Sequence, residues 1–234
     1  MKQVHRADTR GVSENNWLYS QHSFSFADYI VPERNGLGKL RVLNDDIVQA
    51  GQGFGFHHHK NMEIISIPLS GELQHKDTLG NEHVIKTGDI QIMSAGSGID
   101  HSEYNPSSDT IVNFLQIWIL PKTLDIEPRY AQLSYDQTKM NNHFLAIVSP
   151  FSTDVDSVPI EQNSILSLAN IDEGVSLNYN THFESASCYF FIIEGEVEFA
   201  GERLKKRDAI ALTDITTITI IAKKTSKLLC IETT

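Results

Sequence analysis

Two alternating pairs, His57-x-His59 and His101-x-Glu103, constrain this chain more tightly than any other feature. On a β-strand, side chains at i and i+2 leave the same face, about 6.6 Å apart along the chain. If both segments are strands, each presents a pair of ligand-type residues to one side. Polar groups on an inward β face are costly unless something partners them. A divalent transition metal held by nitrogen and oxygen donors supplies that partner. The pattern therefore predicts a mononuclear metal centre inside a β-barrel, with His57, His59 and His101 as ligands. Strand parity turns His58 away from its two neighbours. The carboxylate is less determined: Glu103 stands one strand step from His101, whereas Glu63 shares parity with His57 and His59 but lies farther along. Local geometry favours Glu103, with either carboxylate able to serve as acceptor for an imidazole N–H.

The rest of the chain reads as all-β. Short β-branched and aromatic runs dominate, broken at close intervals by Gly, Asn, Asp and Pro, which is the pattern of barrels and sandwiches. Strands are expected over Ile64 to Leu69, Gly88 to Met93, Ile111 to Leu120, Ser164 to Leu168, Leu177 to Tyr179, Cys188 to Ile193, Ala209 to Leu212 and Ile215 to Ile221. Turn signals separate them at Ser70-Gly71, Leu79-Gly80-Asn81, Glu194-Gly195 and Ala200-Gly201. A faint repeat links two halves. The segment from Ile65 to Leu73 resembles Phe190 to Val197 in composition and glycine placement, and Lys86-Thr87-Gly88-Asp89 finds an echo in Lys205-Lys206-Arg207-Asp208. Two barrels of one type are expected, over residues 1–124 and 125–234, joined where Pro121 and Pro128 bracket a polar stretch. The second copy lacks the chemistry: Thr181 and Phe183 stand where His57 and His59 would, and no histidine follows His182. His182 and Glu184 keep i/i+2 spacing, but a degenerate, structural second barrel without a metal is the expectation.

Composition narrows the function classes. The 234 residues are 40% hydrophobic and 21% charged, so the chain is neither disordered nor fibrous. A formal charge of −11 argues against direct nucleic-acid binding, which needs a basic surface. The tight group Lys205-Lys206-Arg207 reads as a solvated turn. No apolar run has the length of a membrane span, and the polar start from Met1 to Asp8 lacks the apolar core of a secretory signal. The two cysteines, Cys188 and Cys230, read as buried free thiols, consistent with a cytoplasmic protein. His5, His22, His75, His83 and His143 take the ordinary reading of packed or surface histidines.

The motif residues resemble a known family. Gly51, His57-x-His59, Glu63 and Gly71 resemble the first motif of the cupin superfamily, and Gly88, Gly98-Ile99-Asp100-His101 and Asn105 its second. Gly71 comes one residue late, Ser94 replaces the usual proline, and His101 is displaced outward from Gly96. These departures are similar to the pirin branch. So are Gly53-Phe54-Gly55, Met62-Glu63-Ile64, the run from Ile92 to Ser107, His22-Ser23-Phe24-Ser25-Phe26 and Leu40 to Asp46. The resemblance spans nearly the whole chain and is specific over residues 17–120. It implies a bicupin, two jelly-roll-like β-barrels with one metal site in the first. His57, His59, His101 and Glu103 are the implied ligands and Fe(II) the usual metal, with Zn, Mn, Ni, Co or Cu as alternatives. It further implies a quercetin 2,3-dioxygenase-like oxidoreductase, acting on a flavonol-like aromatic with O2. Glu103 would serve as both ligand and general base. Phe54, Phe56, Ile65 and Met93 are expected to form an apolar cavity wall. A second class is a non-catalytic protein whose metal shapes a surface for a regulatory protein partner. No phosphate-binding glycine loop opens a helix, and no Cys-x-x-Cys pair exists.

Overall fold

Because β-branched runs dominate and glycines punctuate them, regular structure is almost wholly strand. The computed structural model describes residues 1–151 and 156–234. In order the strands are β1 (Lys2–His5), β2 (Gly11–Glu14), β3 (Leu18–His22), β4 (Leu40–Val48), β5 (Gly53–His59), β6 (Glu63–Ser70), β7 (Glu72–Asp77), β8 (Glu82–Lys86), β9 (Asp89–Ser94) and β10 (Ile99–Tyr104). They continue with β11 (Val112–Ile119), β12 (Arg129–Ser134), β13 (Leu145–Ser149), β14 (Val158–Pro159), β15 (Ser164–Ile171), β16 (Ser176–Asn180), β17 (Ser187–Phe199), β18 (Glu202–Lys205), β19 (Ala209–Thr213) and β20 (Thr217–Thr233). Among the described residues the helices are short 3-10 turns at Ala7–Thr9, Pro32–Arg34 and Gln137–Met140, and no helix is long and apolar enough to cross a membrane.

Among the described residues three sheets result. A four-stranded sheet runs β5-β10-β7-β8, and a seven-stranded sheet runs β12-β9-β6-β11-β4-β3-β2. A nine-stranded sheet, with the path β1-β19-β17-β20-β15-β13-β14, holds the second half. The halves exchange strands: β1 pairs with β19, and β12, which follows residue 124, pairs with β9.

Packing explains why several strands read as unbroken apolar runs. On β11, Leu115, Ile117 and Ile119 join a core shared with Tyr189, Phe191, Leu229 and Ile231 of the nine-stranded sheet. Phe114 faces the other way, onto Leu73 and Ile85 of the four-stranded sheet. In β17, Tyr189, Phe191 and Ile193 take the shared core while Cys188, Phe190 and Ile192 fill an inner core of the second half. Strands buried on both faces lose polar/apolar alternation. Cys188 and Cys230 are both buried and unpaired, as expected.

The repeat survives in backbone detail. Gly71 (φ +74°) and Gly195 (φ +88°) both adopt left-handed conformations. A Cβ would meet Ile111 O at 2.7 Å at the first and Thr225 O at 2.3 Å at the second. Gly195 is not the turn its neighbourhood suggested: β17 runs through it, and the register against β20 shifts between Glu194 and Glu196. It is a bulge, the alternative use of a strand glycine. The second repeated turn is equally clear. Lys86 N donates to Asp89 Oδ2 at 2.9 Å, and Lys205 N to Asp208 Oδ2 at 3.0 Å. Arg207 occupies Gly88's place with φ +68°, and it is no solvated turn residue. Its Nε reaches Asp45 Oδ2 at 3.1 Å, tying the second half to β4.

Candidate metal centre

The first histidine pair folds as parity requires. β5 pairs antiparallel with β10, with His57 opposite His101 and His58 opposite Asp100. Directly opposed residues in an antiparallel pair bring their side chains together on one face. Ring centroids stand 4.5 Å apart for His57–His101, 4.8 Å for His57–His59 and 4.9 Å for His59–His101. One ring nitrogen from each of these histidines lies within 4.8 Å of the others. His58 points outward to Asp100 Oδ1 at 3.0 Å, with 60% of its side chain exposed.

The electrostatics suit a cation. Burial, followed by the nearby His101 and His57, holds the His59 imidazole down to about 4. Burial, followed by His57 and His75, holds His101 down to about 3. Both rings thus keep a lone pair at neutral pH, the form that binds metal. His57 Nδ1 lies 2.8 Å from the Gly55 carbonyl, so Nδ1–H donates and, in the neutral ring, Nε2 is the nitrogen that carries the lone pair. His101 is 1% exposed, and its Nε2 has no hydrogen-bond partner. An orphaned acceptor buried beside two more imidazoles fits a bound metal.

Glu103 is placed differently. The β10 register shifts after His101, so Glu103 falls opposite Phe54. Its carboxylate accepts from Ser66 Oγ at 2.8 Å and Gln116 Nε2 at 2.5 Å. It lines a cavity of about 400 Å³ together with His57 and His59, within the usual size range of ligand sites. Leu18, Phe26, Phe54 and Trp118 give this cavity its apolar wall, and Ser20, His22, Asn44, Asp46 and Gln116 a polar one. Trp118 also stacks edge-on to His59, 5.0 Å between centroids.

Three expectations need correction. Of the four residues expected to form the cavity wall, only Phe54 does. Phe56 is 61% exposed, and Ile65 and Met93 belong to packed cores. Glu63 does not face the histidines: Asn61, at φ +53°, turns the chain between β5 and β6, so parity counted from His59 does not carry across. Its carboxylate instead accepts from Ser94 Oγ at 2.6 Å. His22 and His75 are not ordinary. His22 lines the cavity and bonds Asn44 Oδ1 at 2.8 Å, while His75, fully buried, lies 3.5 Å from His101 Nδ1. His75-x-Asp77 is a third i/i+2 pair, the signal that could have revealed it.

The second half has a buried carboxylate beside the positions that match the first half's histidines. Glu232, buried, accepts from Tyr179 OH (2.7 Å), His182 N (2.7 Å), Phe183 N (2.9 Å) and His182 Nδ1 (2.9 Å). Thr181, at the position matching His57, bonds the Thr216 carbonyl at 3.4 Å. The group of potential metal-binding side chains among the described residues is that of His57, His59 and His101.

Comparison with known proteins matches the two halves to two different family models. Residues 4–119 match the Pirin family, and residues 146–233 match the quercetinase C-terminal cupin domain. A quercetin 2,3-dioxygenase of Escherichia coli K12 is 37% identical over 98% of this chain and 97% of its own length. A pirin-like protein of Caulobacter vibrioides is 36% identical over 96% of each chain. The crystal structure of the bacterial pirin YhhW from Escherichia coli in complex with nickel(II) superimposes with a TM-score of 0.93 at 36% identity, covering 100% of this chain and 99% of that one. With conserved length, shared fold and a histidine cluster in its first half, this chain belongs to the pirin family of cupin proteins.

Proposed function

We propose that this protein is a pirin-type, metal-dependent dioxygenase able to cleave flavonols such as quercetin with O2, built as two cupin barrels over residues 1–124 and 125–234. The observation that carries it is a cluster of three imidazole nitrogens, of which those of His57 and His59 border a cavity with a carboxylate and an apolar wall. His57, His59 and His101 would hold one divalent metal, with Glu103 as the fourth ligand. The relative solved with nickel(II) supports a divalent ion at such a site, and Fe(II) is our assignment for the resident one. When bound, the metal supplies Lewis acidity toward a substrate enol oxygen and a place for O2.

The chain's own residues do the remaining work. Glu103 takes the enol proton as general base; Ser66 Oγ bonds one of its oxygens and Gln116 Nε2 the other, so one of these bonds gives way when that oxygen turns to the substrate. Phe26, Phe54 and Trp118 flank the cavity and orient a flat aromatic while excluding water. His22, Asn44 and Ser20 offer hydrogen-bond partners to ring hydroxyls.

Oxygen uptake matched to the loss of flavonol absorbance, by protein loaded with a single metal, tests this reading. We expect turnover that His101→Ala abolishes. Metal-loaded protein that consumes neither flavonol nor oxygen would refute it, leaving a metal-shaped surface for a protein partner as the reading to pursue.

A further inference from the structure

The histidine that sits deepest in the cluster is backed by two residues with no part in the chemistry above. β7 lies beside β10 with Asp77 opposite His101 and His75 opposite Glu103. His75 and Asp77 therefore share the inward face with His101. His75 is 0% and Asp77 7% exposed. His75 Nε2 lies 3.1 Å from Asp77 Oδ2, and His75 Nδ1 lies 3.5 Å from His101 Nδ1. The Tyr130 ring packs against His75 at 4.7 Å and limits its tilt.

We propose that Asp77 and His75 form a one-way hydrogen-bonded relay that fixes the tautomer of His101 and delivers its Nε2 lone pair to the metal. The proposal rests on His101 being a ligand. Each step in the relay follows from the one before. Asp77 can only accept: Asp77 Oδ1 takes Leu79 N at 2.9 Å and Asn81 N at 3.0 Å, and Oδ2 takes Asn81 Nδ2 at 2.8 Å. Although burial works in the opposite direction, the bonds from Asn81 and His75 hold the Asp77 carboxyl below its ordinary value. His75 Nε2 must then carry the hydrogen that it donates. In the neutral ring this leaves the lone pair on Nδ1, so His101 Nδ1 must be the donor between the two rings. His101 is left with a bare Nε2, the same buried atom that has no partner in the protein. A carboxylate behind a ligand histidine also raises its basicity, and loss of such support typically weakens metal binding by about 10–100-fold.

The hairpin explains why the relay is rigid. Asp77 closes the β7–β8 turn through Leu79 and Asn81, so its carboxylate cannot rotate away without breaking that turn. His75 and Asp77 are positioning residues: neither lines the substrate cavity.

Histidine nitrogen NMR of metal-free protein reads the relay directly, alongside Ni(II) affinity by competition titration. In the native chain we expect His101 protonated at Nδ1 and bare at Nε2. Asp77→Asn places an amide donor where Oδ2 stood. The relay should reverse, moving the proton onto His101 Nε2 and weakening Ni(II) about 10–100-fold. His75→Leu should weaken it similarly. His75→Asn keeps an acceptor where Nδ1 stands and should retain the native tautomer and affinity within a few-fold. A native spectrum with the proton on His101 Nε2 overturns the proposal, even if no variant folds. So does unchanged Ni(II) affinity in both Asp77→Asn and His75→Leu. Native protein with the expected tautomer and graded affinities but no flavonol cleavage would sink the dioxygenase reading and uphold the relay.

Discussion

Replacing Glu232 asks whether the second half is held by a carboxylate in place of a metal. Its oxygens accept from the Tyr179 hydroxyl, the backbone N–H groups of His182 and Phe183, and His182 Nδ1. Glu232→Ala would strand the phenol and two backbone donors inside the fold. At about 1–3 kcal/mol for each buried unsatisfied group, and with incomplete additivity, the loss comes to about 3–5 kcal/mol. For a chain of this size that lowers Tm by about 10 °C. Glu232→Gln is milder, since its amide oxygen still serves both backbone donors, while Tyr179 OH and His182 Nδ1 can turn a lone pair to the new N–H group. Exchanging charge-assisted for neutral bonds costs about 1–2 kcal/mol. The pH dependence has a definite sign. Burial raises the Glu232 carboxyl, but the hydrogen bonds from His182, Tyr179 and the two backbone groups outweigh it and leave it below its ordinary value. A depressed carboxyl contributes stability above its unfolded value, about 4.3, and loses it as pH falls through the folded one. Urea unfolding of native and Glu232→Gln protein across acid to neutral pH measures this. The gap should be full at neutral pH and should close in acid. A glutamine variant as stable as the native chain at pH 7, or a gap that ignores pH, refutes the carboxylate lock.

Other outcomes test the first half. Ni(II) at about 100 times its Kd should stabilise the native chain by about 2.7 kcal/mol and raise Tm by several degrees, and His57→Ala or His101→Ala should abolish the shift in a thermal melt. Trp118→Ala should weaken flavonol binding by tenfold or more through lost aromatic contact, about 1.4 kcal/mol, while metal content stays unchanged; equal affinity would remove Trp118 from the substrate wall. Burial, opposed by the Ser20 hydrogen bond and aided by Asp45 and Glu103, pushes the Asp46 carboxyl up to about 7. A raised carboxyl destabilises the fold as pH climbs from its unfolded value to its folded one, by about 1.4 kcal/mol per pH unit. Asp46→Asn should therefore gain stability over the native chain between about pH 4 and pH 7 in metal-free protein, as read by denaturant midpoints; a pH-independent difference would contradict the assignment.

Much of the site was legible because strand periodicity is local. His57, His59 and the outward His58 lie on one uninterrupted strand, so spacing alone sorted their faces. Parity failed at Glu63, where the left-handed Asn61 resets the count between β5 and β6. It also failed for Ile65 and Met93, because a strand buried on both faces shows no alternation from which to choose the cavity side. Phe26 and Trp118 come from segments far apart in sequence, and their meeting beside His59 depends on sheet order.

The amino-acid pattern by itself determined the all-β class, the repeat of two similar halves, the histidine-bearing strands and the loss of those histidines from the second half. These follow from period-two side-chain placement and from turn residues, which act within a few positions of one another. Tertiary structure alone decided which faces meet. It set β1 against β19 and β12 against β9, made a bulge of Gly195, put Arg207 on Asp45 and brought His75 up behind His101. Such contacts join strands whose order in a sheet depends on how the whole chain buries its apolar faces, information that no local window of residues contains.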